Sequence, residues 1–236
     1  MAAEVFICGC GHSGTSLIAN MFAAHPTVFV PLRETYVFKD PARAQERYGA
    51  LLEEATATRR PFMVEKTPGH IHHIDLIRCT VPRARFILPV RDGRDVVASI
   101  ARRTGSVDQG IKRWIVDNGI VLAQRDRDDV FTYRHEDLVE DTDGVLRSAC
   151  AFAGIPFDAA MLDYHQTARL WFGQRRLKEA DPSEKHKAHR NWQINQPVFD
   201  NRGRWVDELT PEQVQPLLEG PGLHLMRAFG YVPEIA

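Results

Sequence analysis

Long apolar runs are missing from this chain of 236 residues, and none approaches the roughly 20 residues that cross a bilayer, so no stable membrane insertion is expected. Net charge is missing too. Thirty Lys and Arg stand against 31 Asp and Glu, a formal −1. That balance excludes the global basic pull of a nucleic-acid binder or a polybasic membrane-surface protein. Cysteine is scarce and scattered (Cys8, Cys10, Cys79, Cys150), which argues against a disulfide framework. Cys8-x-Cys10 is too tight for a usual metal pair. All four read as reduced cysteines of a cytoplasmic protein, and no metal is expected. Met1-Ala2-Ala3-Glu4 lacks the basic segment and apolar core of a secretory leader. Repeats and low-complexity tracts are absent, and oligomeric state is left open.

What is present is an alternation of apolar runs with amphipathic stretches, the rhythm of a parallel sheet wrapped by helices. Strands are predicted at Val5–Gly9, Thr27–Pro31, Phe62–Lys66, Arg85–Val90 and Val130–Tyr133. Helices are predicted near Gly14–Ala24, Pro41–Ala57, His70–Cys79, Arg94–Arg103, Asp108–Arg127 and Asp141–Ala153, the last stopped by Gly154-Ile155-Pro156. The expectation is one α/β domain over residues 1–236, a P-loop-type parallel sheet flanked by helices in three layers. Ligands of such sheets gather at the carboxyl ends of the strands. Residues 169–190 break the rhythm, with seven Lys and Arg against three Asp and Glu. They read either as a solvated loop or as a basic lid over an anionic ligand, with 169–205 as the closing segment.

The chemistry begins after Val5-Phe6-Ile7-Cys8, where Gly9-Cys10-Gly11-His12-Ser13-Gly14-Thr15-Ser16 turns an apolar strand into a helix. Two glycines with four residues between them, then a hydroxyl pair, aim backbone N–H groups and a helix N-terminus at an anion. The lysine of a nucleoside-triphosphate enzyme is lacking, since Thr15 stands in its place. The loop can cradle a phosphate, but it lacks the cation that grips a γ-phosphoryl group. The fourth strand then delivers Arg91 where a kinase wants a magnesium-holding aspartate. Ser99 follows on the next helix, with Arg103 a turn further on the same face. Two guanidinium forks and a hydroxyl suit a second phosphate. The competing reading makes Arg91, Asp92, Arg94 and Asp95 surface ion pairs.

In order and spacing, these pieces resemble the sulfotransferases that use 3′-phosphoadenosine 5′-phosphosulfate (PAPS), nearest the tyrosylprotein sulfotransferase branch and its bacterial relatives. The likeness runs through Gly9–Leu17, Ala24-His25-Pro26, Glu34-Thr35, Lys66-Thr67-Pro68 and Val90-Arg91-Asp92-Gly93-Arg94 with Ser99 and Arg103. It continues in His135-Glu136-Asp137-Leu138-Val139, Gln196-Pro197-Val198 and Gly203-Arg204-Trp205. The resemblance implies that Gly11, His12, Ser13, Gly14, Thr15 and Ser16 grip the 5′-phosphosulfate, and that Arg91, Ser99 and Arg103 meet the 3′-phosphate. It further implies Glu34 as the base on the acceptor hydroxyl and Lys66 as support for the sulfuryl group and leaving oxygen. Arg204 is the late basic residue closing over the nucleotide. The product would be 3′-phosphoadenosine 5′-phosphate (PAP), and the acceptor a hydroxyl of a carbohydrate, a phenol or tyrosine, or a secondary metabolite.

The residue types suit in-line sulfuryl transfer, which needs positioning, charge stabilisation of the leaving group and a base within reach of the acceptor proton. The sequence also departs from the family. His12 replaces an arginine and is a second candidate for moving the acceptor proton, and His135 occupies the place of a nucleotide-contacting tyrosine. Glu34 also reads as a surface carboxylate, and Lys66 as the partner of Glu65. His70-x-His72-His73 reads as the opening of a helix near the acceptor cleft. Trp192 and Trp205 are the candidates to pack on adenine. Two other functions stay open, a P-loop kinase of small molecules and a non-catalytic nucleotide-binding protein.

Overall fold

The structure, a computed structural model, describes residues 1–171 and 186–233, with the side chains of 186–189 left out of the description. Five parallel strands make one sheet: β1 (Ala3–Ile7), β2 (Val28–Phe29), β3 (Phe62–Lys66), β4 (Ala84–Val90) and β5 (Val130–Arg134), in the order β2-β3-β1-β4-β5. Side chains alternate across a strand. Val5 and Ile7 therefore enter one apolar layer and Phe6 the other, and Val64 and Ile87 part from Met63 and Phe86 in the same way. A sheet apolar on both faces must be covered on both.

One face is covered by α1 (Thr15–Ala24), α7 (Thr142–Ala153) and α8 (His186–Ile194), through Ile18, Phe22, Leu146, Cys150 and Ile194. The other carries α2 (Ala44–Ala57), α3 (Ile74–Thr80), α4 (Gly93–Thr104), α5 (Val107–Gln124) and α11 (Gly220–Ala228), through Leu51, Ile77, Val97, Trp114 and Met226. Short helices α6 (His135–Glu140), α9 (Trp205–Glu208) and α10 (Pro211–Val214) complete the described α-helices. The expected parallel α/β sheet flanked by helices is the architecture found. No helix among the described residues is long and apolar enough to cross a membrane.

Some elements differ from expectation. The second strand pairs over Val28–Phe29 only. It lies between Pro26 and Pro31, which bring no N–H to a ladder, and the Arg60 guanidinium donates to the Val28 carbonyl at 2.8 Å. The helix expected over His70–Cys79 starts as a 3₁₀ turn at Pro68–His73 before α3. The expected basic cover over 169–190 falls mostly on 172–185, outside the described residues. Its ends are placed and tied together. Asn191 and Trp171 exchange two amide hydrogen bonds at 2.8 Å, and Asn195 bonds both the N–H and the carbonyl of Arg169. Asn20 of α1 accepts from the Trp171 indole at 2.9 Å and donates to the Ile194 carbonyl at 2.7 Å.

Candidate active site

With β1 between β3 and β4, chain direction through the sheet reverses beside β1, and the carboxyl edge there is where ligands of open α/β sheets bind. Four strand ends deliver the candidate groups to that edge: Lys66 from β3, the glycine loop from β1, Arg91 from β4 and His135 from β5. The loop is shaped by residues in left-handed backbone. Gly9 has φ +136°, with the Pro89 carbonyl oxygen 3.4 Å from where a Cβ would stand, and Gly14 has φ +86°. A Cβ on Gly14 would stand 2.6 Å from His135 Nδ1. His12, at φ 73°, adopts the same region with a side chain. The first α1 bonds run from the Leu17 and Ile18 N–H groups to the Gly14 carbonyl. The N–H groups of Thr15 and Ser16 therefore lie at the open head of the helix. Ser13 is fully buried, and its hydroxyl has no hydrogen-bond partner among the described residues.

Arg91 turns to the loop rather than to solvent. It donates to the His12 carbonyl at 3.3 Å and to the Asn201 side chain at 3.1 Å. Trp114, buried on α5, donates its indole N–H to the Arg91 carbonyl at 3.0 Å, and Glu136 accepts the Asp92 N–H at 3.0 Å. The Arg–Asp cluster thus divides. Arg94 pairs with Asp92 at 2.6 Å, while Asp95, 3.7 Å from Arg91, accepts the Gly203 and Trp205 N–H groups and holds that segment in place. Ser99 lies 2.7 Å from His12 Nδ1. Burial and the Arg91 charge push His135 down to about 3, so its ring is neutral.

Glu34 and Lys66 meet beside the loop. Lys66 Nζ donates to Glu34 Oε1 at 3.0 Å, and the ammonium sits 5.2 Å above the Trp171 ring. Lys66 is fully buried, whereas 23% of the Glu34 side chain is exposed to the cavity. Burial pushes Lys66 below its ordinary value against the pull of Glu34. Burial would raise Glu34, but the Lys66 charge and hydrogen bonds from Tyr36 and Lys66 outweigh it and hold the carboxyl below its ordinary value.

Lys66 does not point to Glu65, because adjacent strand residues face opposite ways. Glu65 is buried on the other face, where it accepts from Thr67 at 2.6 Å and Thr35 at 2.8 Å, with His70 Nδ1 at 3.0 Å. Thr67 Oγ1 in turn accepts the Thr35 N–H at 3.0 Å, which fixes the turn bearing Glu34. The sequence signal was a carboxylate closing the apolar run Phe62-Met63-Val64; its partners were not legible.

Two cavities open on these groups. One is lined by His12, Gly14, Arg91, Ser99, His135 and Asn201, with Leu17, Val198 and Phe199 as apolar walls. The other, about 300 Å³, is lined by His12, Thr15, Ser16, Glu34, Arg103 and Arg113. His12 and Arg190 border both. Arg103 therefore opens onto the Glu34 cavity, a turn beyond Ser99. Arg204 lines neither: its side chain is 56% exposed and pairs with Glu208 at 3.5 Å. Trp205 packs under the Arg94 guanidinium, 4.6 Å away. Asn201 and Arg113 were not singled out from the sequence as site residues, since nothing local marks them, whereas Arg190 ends the basic stretch 169–190.

Fold and site together define a parallel α/β protein with a glycine loop at the head of its first helix and a lysine–carboxylate pair beside it. A family model described as Sulfotransferase family matches residues 45–159. The sulfotransferase domain of the Synechococcus PCC 7002 olefin synthase shares the fold at TM-score 0.70 and 18% identity, over 98% of this chain and 95% of that one. A mouse sulfotransferase solved in complex with PAP does so at TM-score 0.60 and 14% identity, over 96% and 84%. Protein-tyrosine sulfotransferase A of Caenorhabditis elegans is 24% identical over 98% of this chain. The chain spans 67% of that relative and 27% of an uncharacterized Aquifex aeolicus protein matched at 22% identity. The chain thus carries a segment that matches the sulfotransferase family model and shares the fold of solved sulfotransferases along nearly its whole length.

Proposed function

We propose that the protein transfers a sulfuryl group from PAPS to an acceptor hydroxyl by in-line displacement. The observation that carries this reading is the Lys66–Glu34 pair at 3.0 Å, buried at its lysine and opening through Glu34 onto the cavity that Thr15 and Ser16 also line. The residues fit the donor. The Ser13 hydroxyl, Arg91 Nε and His135 Nδ1 are buried polar atoms without hydrogen-bond partners among the described residues, and all three belong to residues grouped around the loop. A bound anion at a helix N-terminus would satisfy such donors. The mouse neighbour solved with PAP supports the same donor class.

PAPS, when bound, supplies an electrophilic sulfur and a nucleotide bisphosphate as leaving group. On this reading the Ser13 hydroxyl and the Gly14, Thr15 and Ser16 N–H groups hold the 5′ end, with Gly11 giving the loop its close approach. Arg91 and Ser99, with Arg103 at the edge, hold the 3′-phosphate, and the neutral His135 borders the nucleotide. Lys66 places positive charge where the leaving oxygen gains negative charge. Glu34, ionised at neutral pH, accepts the acceptor proton, and His12 stands between the two cavities as the second group able to carry it.

Calorimetry with PAP, AMP and magnesium-ATP tests the donor. Strong preference for PAP without metal is expected, and preference for magnesium-ATP overturns the reading in favour of a kinase. Glu34→Gln is expected to lower turnover roughly 10²–10⁴-fold with PAP affinity nearly unchanged.

A further inference from the structure

The cavity that holds Glu34 is lined by three guanidinium groups and one carboxylate. Arg103, Arg113 and Arg190 line it, whereas the one carboxylate on its wall, Glu34, is already matched by Lys66. Arg113 has no part in the donor site proposed above. It projects from α5, and its Nε is braced by Asp117 at 3.4 Å, a buried carboxylate that also meets His72 at 2.9 Å. The far end of the guanidinium lies against the glycine loop: a Cβ on Gly11 would stand 2.9 Å from Nη2. One edge of the fork is thus fixed from behind, and the other reaches the loop beside the cavity with Glu34 and Tyr36. Of the lining residues only Tyr36 and Pro68 offer broad apolar surface, unlike the neighbouring cavity with Leu17, Ile194, Val198 and Phe199.

We infer that the acceptor carries an oxyanion of its own, a carboxylate or phosphate on the same molecule as the reacting hydroxyl, and that Arg113 binds it. This rests on the transferase reading above. A planar guanidinium presents two parallel N–H groups that match two oxygens of either anion. Holding the anion there leaves the hydroxyl to lie at Glu34, and an uncharged analogue forfeits that hold. The specificity is for charge next to hydroxyl within a small cavity.

Titrations on protein saturated with PAP test it, using two probe pairs: 4-hydroxyphenylacetate with its methyl ester, and glucose 6-phosphate with glucose. In at least one pair the anion is expected to bind tenfold or more tightly than its uncharged partner, and the pair concerned tells carboxylate from phosphate. Arg113→Leu should abolish that preference while leaving the affinities for the uncharged probe and for PAP unchanged. Arg113→Lys should keep part of it. Equal binding within both pairs, no binding of either anion, or an Arg113→Leu protein that keeps the preference overturns the inference and leaves the donor reading intact. Failure to bind PAP at the first step overturns both.

Discussion

Replacing Glu65 by leucine removes the acceptor of three hydrogen bonds at once, from Thr35, Thr67 and His70. Thr67 and His70 are themselves buried, so their donors cannot turn to water. Each buried donor left unsatisfied costs about 1–3 kcal/mol. The losses share one network, so about 3–5 kcal/mol in total is expected, a fall in melting temperature of roughly 10 °C at about 2–4 °C per kcal/mol for a chain of this size. Glu65→Gln keeps one acceptor oxygen and the shape, and should cost about 1–2 kcal/mol. The damage should reach activity, because Thr67 Oγ1 holds the Thr35 N–H next to Glu34. Burial would raise Glu65, but His70 and the hydroxyls of Thr67 and Thr35 outweigh it and hold the carboxyl below its ordinary value. Its stabilisation is therefore fully present above the unfolded value of about 4.3 and is lost as pH falls through the lower folded value. Urea titrations of wild type and Glu65→Leu from pH 3 to 8 should show a constant gap above about pH 5 that narrows below it. A gap under about 1 kcal/mol at pH 7, or one that does not narrow in acid, would refute the account of this network.

Gly14→Ala is expected to lose about 2–4 kcal/mol, part from left-handed backbone and part from crowding against His135, and to weaken PAP binding. Adding His135→Ala should recover the crowding part only, read from the two melting temperatures. Arg91→Ala should weaken PAP binding by about 1.5–3 kcal/mol, roughly 10–10²-fold, with AMP affected much less; equal effects on both nucleotides would remove the 3′-phosphate assignment. Because Glu34 is held below the ordinary carboxylate range, kcat should stay level as pH falls and drop only below about pH 4.3. An acid limb near pH 6.5 that survives Glu34→Gln would transfer the base role to His12.

Much of the fold was legible because its causes are local. Phe62–Lys66 reads as a strand from its apolar run and is one over the same residues, and the Gly9–Ser16 turn follows from glycines placed where positive φ is needed. Strand order was not legible. Which strand lies beside β1 depends on how both apolar faces are covered at once. The deviations have the same origin: β2 is short because Pro26 and Pro31 bracket an edge strand.

Sequence by itself determined the chemical groups available: a cradle without lysine, Glu34, Lys66, and Arg91 with Ser99. Tertiary structure decided their company. It turned Lys66 to Glu34 and Glu65 to Thr35, Thr67 and His70, since a pleated strand sends neighbours to opposite faces. It set Arg91 against Asn201, more than a hundred positions away, and put Ser99 beside His12. It placed Arg103 and Arg113, from two different helices, on one cavity wall and left Arg204 outside. Such pairings arise only when helices pack on a sheet of settled order, because spacing along the chain carries no information about distance across it.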